Sequence, residues 1–384
     1  MKVKYKISDI FDLQMGKTPP RDEQSFWNSN DYKWIAISDF DECKYIENTS
    51  EYISSQAVKN TGIKIVPKNT VIMSFKLSIG KVAITKEDMY TNEAIIAFFN
   101  KGVVNIELSY LYYLLKSYKW DLLAQRAAKG KSLNKEILNN ATLCFHSNIQ
   151  TQKEIVAVLD KVTSLISMRK EQLEKLDILV KSKFIEMFGD PVLNPKGWET
   201  KKLGEVCDVR DGTHDSPKFI FNGYPLITSK NIVDNQLILD KVNYISQEDY
   251  DKINKRSKVD KGDILLPMIG TIGNPVVINI EPNFAIKNVA LIKFNNPNIT
   301  NTYIYNILTS NYIEYVKNIL SRGGTQKFIA LADIRKLMIP IPPLDLQNQF
   351  AEFVEQVEKN KENIKSSLNQ LETLYSALMQ EYFG

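Results

Sequence analysis

The chain repeats itself. Residues 149–162 (IQTQKEIVAVLDKV) align without gaps to residues 344–357 (LDLQNQFAEFVEQV), so that Gln152 falls on Gln347, displaced by 195 residues. Met187-Phe188-Gly189 falls on Tyr382-Phe383-Gly384 at the same displacement. Upstream, residues 5–18 (YKISDIFDLQMGKT) resemble 201–214 (KKLGEVCDVRDGTH) at 196, and 65–84 (IVPKNTVIMSFKLSIGKVAI) resemble 258–277 (KVDKGDILLPMIGTIGNPVV) at 193. Both of the latter reach Ile-Gly, at Ile79-Gly80 and Ile272-Gly273, and YKWIAISDF (32–40) pairs with YPLITSKNI (224–232). A period this long means duplicated domains, not a solenoid of small repeats. The 384 residues accommodate two such copies.

Each copy ends in a long amphipathic stretch. Apolar positions fall at Ile155, Val158, Val162, Ile166, Leu173, Leu176, Val180, Phe184 and Met187, and again at Phe350, Phe353, Val357, Ile364, Leu368, Leu371, Tyr375, Leu378 and Tyr382, with a polar interruption at Lys361. A narrow stripe over five turns or more favours a coiled-coil seam over a helix lying on a broad core. The seam is assigned to Val162, Ile166, Leu173, Leu176 and Val180 on the first helix and to Val357, Ile364, Leu368, Leu371 and Tyr375 on the second. Two matched helices in one chain are natural partners. At about 1.5 Å per residue, 37 residues span roughly 55 Å, or at most about 16 base pairs of B-DNA. Packed antiparallel, they would set the globular domains at the two ends of a rod.

The expected fold is mixed α/β (α+β): a pseudo-two-fold tandem duplication of two globular domains joined by two long helices in an antiparallel coiled coil. Its parts are a globular domain over 1–148, a helix over 149–189, a linker over 190–197, a second globular domain over 198–343 and a second helix over 344–384. Strands are expected at Tyr32–Ser38, Thr70–Phe75, Lys81–Thr85 and Ala94–Phe99, and at Tyr224–Thr228, Asp263–Pro267, Pro275–Ile280 and Val289–Phe294. A helix at Leu108–Ala127 has its counterpart at Thr302–Leu320. The segment GDPVLNPKGW (189–198), with two prolines and two glycines, breaks the first long helix and divides the copies.

Composition narrows the chemistry. Hydrophobic residues make up 43% and charged residues 24%, and the formal net charge is +4, which permits nucleic-acid binding without demanding it. No run of eighteen apolar residues occurs and the N-terminus lacks an apolar leader core, so a cytoplasmic protein without a membrane partner is expected. Cys43, Cys144 and Cys207 form neither a disulfide framework nor a zinc ligand set. His146 and His214 lie in no nucleophile or metal motif. Gly16-Lys17-Thr18 looks like the end of a P-loop, but Phe11 stands where the first glycine is required. No S-adenosylmethionine loop or Asn-Pro-Pro-aromatic tetrad is present, and Glu42-Cys43-Lys44 occurs in one copy only. No catalytic residue and no metal ligand are assigned.

Candidate DNA contacts lie on Gly-containing basic loops that recur at matching places. In the first copy these are Lys17, Thr18, Lys76, Ser78, Lys81, Lys129, Lys131 and Ser132. In the second they are Arg210, Thr213, His214, Ser229, Lys230, Asn231, Thr271, Arg322, Thr325, Gln326 and Lys327. Lys and Arg neutralise phosphates, Arg, Asn and Gln can bond base edges in pairs, and glycine admits a close backbone approach.

Assembled this way, the chain resembles the specificity (S) subunits of type I restriction-modification systems over essentially its whole length. The most telling stretch is RGGTQKFIALADIRKLMIPIPPLDLQNQF (322–350), similar to that family's exit from a target-recognition domain into its spacer helix. The first copy has KGKSLNK (129–135) and FHSNIQTQ (145–152) in that place, without the prolines, and Thr151 and Leu346 stand where the family usually has Glu before the helix-opening Gln. The resemblance implies that each globular domain reads one half of a bipartite, asymmetric double-stranded DNA target. It further implies that the helices set the spacer and dock two methyltransferase (modification) subunits, and that restriction subunits join for cleavage. S-adenosylmethionine, ATP and Mg would then belong to the partner subunits and none would be bound by this chain. Two other readings are a coiled-coil protein-interaction scaffold that does not bind DNA, and an enzyme with an unrecognised site.

Overall fold

The computed structural model describes residues 1–41, 43–76, 78–126, 133–269, 273–320 and 328–384. By contact the chain divides into unit 1, Met1–Arg169 with Ser367–Gly384, and unit 2, Lys170–Ser366. Each unit holds one globular repeat and part of both long helices.

The first repeat runs β1 (Lys2–Lys6), α1 (Ile7–Ile10), β2 (Phe11–Met15), β3 (Tyr32–Ile35), β4 (Tyr45–Ile46), β5 (Glu51–Ile53), α2 (Ser55–Thr61), β6 (Val71–Ser74), β7 (Val82–Thr85), β8 (Tyr90–Thr91) and β9 (Ile95–Asn100). It continues through α3 (Leu108–Ser117), α4 (Trp120–Arg126), α5 (Lys135–Asn140) and β10 (Thr142–His146) into α6 (Ile149–Phe188). The second runs β11 (Glu199–Lys202), α7 (Leu203–Val206), β12 (Asp208–Asp211), β13 (Tyr224–Ile227), β14 (Ile232–Val233), β15 (Gln236–Leu237), β16 (Asn243–Ile245), α8 (Gln247–Ser257), β17 (Ile264–Pro267), β18 (Val276–Val277), β19 (Ala285–Ile286) and β20 (Val289–Lys293). It closes with α9 (Asn301–Leu308), α10 (Asn311–Leu320), α11 (Leu331–Arg335), β21 (Met338–Ile341) and α12 (Leu344–Phe383).

The two topologies correspond. Unit 1 has a main sheet ordered β2-β9-β6-β7-β4 and a small sheet β5-β3-β8, and unit 2 has β12-β20-β17-β18 and β16-β13-β19. In each small sheet one pair is parallel, β3 with β8 and β13 with β19. The central strands VIMS (71–74) and ILLP (264–267) are buried throughout. Strand geometry sends alternate residues to opposite faces. Val71 and Met73 therefore join a core with α3, while Ile72 joins a second core on the other face. Ile264 and Leu266 pack with α9, and Leu265 with Ile286 and Val289. Two short pairs, β1 with β10 and β11 with β21, tie the start of each repeat to its end.

The helices expected at Leu108–Ala127 and Thr302–Leu320 are each broken in two. Tyr118 leaves α3 in an extended conformation, and Trp120 Nε1 donates to Leu115 O at 2.7 Å, closing the exposed end of that helix. In unit 2 the hydroxyls of Thr309 and Ser310 donate to the carbonyls of Tyr305 (3.0 Å) and Ile307 (2.7 Å). Such side chains compete with the helical ladder and end it. The strand expected at Pro275–Ile280 is reduced to β18.

The helix-opening glutamines are wholly buried clamps. Gln152 Oε1 accepts from Glu107 N–H (2.8 Å), and its Nε2 donates to Asn105 O (3.1 Å) and His146 O (2.7 Å). Gln347 Oε1 accepts from Thr300 N–H (3.0 Å), and its Nε2 donates to Asn298 O (3.1 Å) and Pro342 O (2.9 Å). Each joins the loop before the domain's helix to the last strand and to the spacer helix. The repeated aromatic ending has an equally local cause. In unit 2 the Phe188 ring lies 4.8 Å from Tyr303, and in unit 1 the Phe383 ring lies 5.2 Å from Tyr110.

Within unit 2 the two helices run antiparallel. Phe188 packs on Phe350 (5.4 Å) while Asp177, earlier on α6, pairs with Lys361, later on α12, at 2.8 Å. Of the ten seam positions, Val162 and Val357 are buried, and Ile166, Leu173, Leu176, Val180, Ile364, Leu368, Leu371 and Tyr375 are half-buried. Lys361 continues the same stripe with its side chain only 14% exposed. Burial lowers its pKa, but the hydrogen bonds to Asp177 and Glu358 outweigh that and raise it. A charged residue at a seam position is a register device, because any slip leaves it buried without its partners. No helix among the described residues is long and apolar enough to cross a membrane.

Candidate nucleic-acid interface

In both units the loop region begins at a glycine where two sheets touch. Gly16 N–H donates to Ile95 O (3.1 Å) and Lys17 N–H to Thr91 O (2.9 Å); Gly212 N–H donates to Val289 O (2.9 Å) and Thr213 N–H to Ile286 O (3.0 Å). A Cβ at Gly16 would overlap the carbonyl oxygens of Thr91 and Asn92, and one at Gly212 the carbonyl of Ile286. Gly80 and Gly273 share positive φ, +85° and +92°, a conformation that suits glycine.

A second matched device braces the turn after β3 and β13. In unit 1, Asp39 accepts from Ala36 N–H (2.8 Å) and from Ser50 N–H (3.0 Å). In unit 2, Asn231 Oδ1 accepts from Thr228 N–H (3.0 Å), and Asn231 Nδ2 donates to Lys241 O (3.1 Å). Asn231 is buried with both ends of its amide engaged inside the domain, so it is removed from the candidate base contacts. Its neighbour Lys230 is exposed and Ser229 half-buried.

Unit 2 gathers several candidates into one network. Arg210 is ion-paired with Asp208 (2.6 Å), a bond that raises its pKa, and also donates to Arg256 O (3.1 Å). It is a framework cation of the sheet. His214 lies between Asp211 (Nε2 to Oδ2, 2.7 Å) and Asn288 (Nδ1 to Oδ1, 2.8 Å). Thr213 Oγ1 accepts from Asp215 N–H (3.1 Å). Two cations absent from the sequence-based set complete the network. Arg256, at the end of α8, donates to Asp211 Oδ1 (2.9 Å) and Gly212 O (2.9 Å). Lys287 donates to Asp215 O (2.7 Å) and Ser216 Oγ (2.6 Å). Asn288 holds a left-handed backbone at φ +54°, and asparagine tolerates this better than most residues. The residues Thr213, Asp215, Ser216, Lys252, Arg256 and Ser257 border a cleft of about 370 Å³.

Unit 1 places its candidates differently. Lys17 donates to Thr61 O at the end of α2, and Thr18 bonds Glu93, so both are committed within the domain. Lys81 reaches Phe40 O (3.3 Å), and Ser78 offers its carbonyl to Ser74 Oγ. Lys76 is half-buried, 5.4 Å over the Phe75 ring. Lys129, Lys131, Ser132, Thr271, Arg322, Thr325, Gln326 and Lys327 lie outside the described residues. None of the three cysteines enters these clusters, and burial pushes the Cys207 thiol up to about 12.

The loops that follow the glycines diverge most. In unit 1 the segment between β2 and β3 folds its aromatics inward: Phe26 is buried, Trp27 packs edge-on against Trp34 (5.0 Å), and the Arg21 guanidinium caps Trp27 (3.8 Å). In unit 2 the segment between β12 and β13 leaves Phe219 53% and Phe221 93% exposed. Sequence patterning gives no signal for this, because an apolar residue in a short segment reads equally as strand or core.

A duplicated domain with matched buried clamps, divergent cation-bearing loops and paired helices is the plan of a two-headed recognition subunit. The family profile described as "Type I restriction modification DNA specificity domain" matches residues 2–177 and again 195–373, and the chain belongs to that family. It is 27% identical to the type I restriction enzyme MjaIX specificity subunit of Methanocaldococcus jannaschii, over 97% of this chain and 90% of that protein. Its fold is that of the crystal structure of the type I restriction-modification S subunit from M. genitalium (TM-score 0.59, 15% identity, 100% of this chain and 96% of that one). It also matches a chain from a structural study of complex assembly and conformational transition in the type I R-M system (TM-score 0.61, 17% identity, 100% and 97%).

Proposed function

We propose that this chain is the DNA specificity subunit of a type I restriction-modification complex, that each unit reads one half of a bipartite asymmetric target, and that the chain performs no catalysis. The observation that carries this reading is the contrast between frame and loops. Gln152 and Gln347, Asp39 and Asn231, and Gly16 and Gly212 do the same work in both units, while the loops they hold differ in residues, charge and exposure. A shared frame with divergent loops is what two heads need to read different half-sites. The Lys361 ion pairs support a fixed spacer, since a seam with a pinned register gives one length.

On this reading the helices also dock two methyltransferase subunits, restriction subunits join them, and S-adenosylmethionine, ATP and Mg are held by those partners. Phosphate contacts would set register and make binding strongly salt-dependent. The test is reconstitution with the methyltransferase subunits, followed by methylome sequencing of a host carrying the system. A bipartite methylated sequence is expected. Inserting two heptads in 160–180 and two in 355–375 should lengthen its spacer and leave the half-site bases unchanged. A chain that never associates with a modification subunit, or inserts that change the bases, would sink this reading.

A further inference from the structure

The segment from Thr213 to Gly223 is held firmly at both ends. At its start, Thr213 N–H bonds Ile286 O (3.0 Å), His214 bridges Asp211 and Asn288, and Lys287 ties down Asp215 O and Ser216 Oγ. At its return, Ile220 N–H bonds Tyr244 O (3.0 Å), and Gly223 sits where a Cβ would overlap Ile245 O. A loop braced this way presents what it carries. It carries Lys218, Phe219 and Phe221, and Phe221 is the aromatic ring in this chain most open to solvent, at 93%. The frame does not demand this exposure, because the corresponding loop of unit 1 buries Phe26 and caps Trp27 with Arg21.

The surroundings select the occupant. Lys218, on the same loop, is exposed and makes no ion pair among the described residues. Asp208 and Asp211 are already paired with Arg210 and Arg256, and Asp215 makes no ion pair among the described residues. The adjoining cleft adds the Lys252 cation and the Thr213 and Ser216 hydroxyls, with Arg256 already paired to Asp211, and Asp249 also lines it. A bare aromatic ring beside the unpaired Lys218 cation and the cleft hydroxyls fits a ligand with apolar faces strung on phosphates. Exposed aromatics in nucleic-acid readers stack on bases or wedge into base steps, and cations beside them hold the backbone.

We propose that Phe221 is an apolar contact to the bases of the half-site read by unit 2, with Lys218 holding a flanking phosphate. This rests on the specificity-subunit reading above. The test uses the full chain assembled with its methyltransferase subunits. Wild type, Phe221→Ala and Phe221→Trp are each measured on the target duplex and on random duplex. For Phe221→Ala, affinity for the target should fall on the order of 10- to 100-fold, the range of one lost base–aromatic contact. Affinity for random duplex and the melting temperature should be unchanged. Base substitutions in one half-site should lose their effect while those in the other keep theirs, and Phe221→Trp should retain binding. Unchanged target affinity in Phe221→Ala overturns the inference and leaves the specificity reading standing. So does a variant that fails to assemble with methyltransferase subunits, which would assign the ring to a protein partner. A wild-type complex with no sequence preference overturns the specificity reading, and the inference with it.

Discussion

The loops after Gly16 and Gly212 start from the same contact and end differently. In unit 1 the chain closes over its own aromatics, with Arg21 stacked on Trp27 and ion-paired with Glu51. In unit 2 a shorter loop is braced by His214 and Lys287 and holds Phe221 in solvent. The glutamine clamps, which agree, have buried polar groups to satisfy, and these two loops, which differ, face water. An unmet buried hydrogen bond costs about 1–3 kcal/mol, while most surface changes cost little. Duplication followed by divergence therefore leaves the clamps alike and frees the loops.

The largest effect should come from the glutamine clamps, where the units agree. Gln152→Leu removes partners from Glu107 N–H, Asn105 O and His146 O, and Gln347→Leu from Thr300 N–H, Asn298 O and Pro342 O. Three groups at about 1–3 kcal/mol each give a loss on the order of 5 kcal/mol in either unit. Urea melts of the two variants should agree within about 1 kcal/mol. A clear inequality would show that the clamps are alike in geometry and not in energetic weight.

A second comparison turns on a place where the units differ in chemistry. Buried Lys293 in unit 2 joins Asp263 (2.6 Å) and Asp260 (2.8 Å) at the ends of β20 and β17. Thr70 stands in unit 1 where Asp263 stands in unit 2, and there the bond is neutral, from Thr70 N–H to Thr85 Oγ1 (3.0 Å). Burial raises the Asp263 pKa even against the pull of Lys293, a sign of how far the carboxylate is from water. Removing one partner strands the other, so Asp263→Ala should cost about 3–5 kcal/mol, whereas Thr85→Val, which removes the hydroxyl that accepts from Thr70 N–H, should cost about 1–2 kcal/mol. The paired change Asp263→Thr with Lys293→Asn should recover much of the loss. No recovery in the thermal melt would mean that the ion pair is needed by its surroundings in unit 2.

A smaller effect is expected at the glycine junctions. Gly16→Ala and Gly212→Ala each force a Cβ into backbone carbonyls, and the relief is a small shift of strand end and loop. A cost of about 1–3 kcal/mol is expected, as for overpacking elsewhere. The sharper readout is recognition. Gly16→Ala should alter preference at one half-site and Gly212→Ala at the other, scored by methylome sequencing of hosts carrying each variant.

The duplication and the long helices were legible in the sequence because local contacts fix them. Gln152 and Gln347 must each satisfy three backbone groups, and Phe188 and Phe383 must pack on Tyr303 and Tyr110. The break between α3 and α4 was not legible. Apolar periodicity runs through it, and the cause is a Trp120 side-chain bond to Leu115 O that no pattern announces. Two-residue strands such as β8 and β19 are set by parallel pairing across the domain, which leaves no periodic trace. Among the candidate contacts, residue type alone could not separate Asn231, buried as a brace, from Lys230 beside it, exposed. Nor could it find Arg256 and Lys287, which reach the loop base from α8 and from the residue after β19.

The finest distinction between the two loops is their response to acid. In unit 1, Asp31 closes the loop by accepting from Ser55 N–H and Ser55 Oγ, both at 2.8 Å. The backbone bond from Ser55 and then its hydroxyl hold the Asp31 carboxyl below its ordinary value. A carboxyl whose pKa is lower folded than unfolded stabilises the fold above the unfolded value, about 3.9, and that contribution is lost as pH falls through the folded value. In unit 2 the return of the loop is closed by a backbone bond, Ile220 N–H to Tyr244 O (3.0 Å), with no carboxylate in it. Below about pH 4 the amide of Ser55 should therefore lose hydrogen-exchange protection and the 19–31 segment should loosen, while the amide of Ile220 keeps its protection. Asp31→Asn should make the Ser55 amide insensitive to pH over the same range. If wild type and Asp31→Asn show the same acid profile at Ser55, other carboxylates govern the loop, and the two loops are closed by more similar means than their hydrogen bonds indicate.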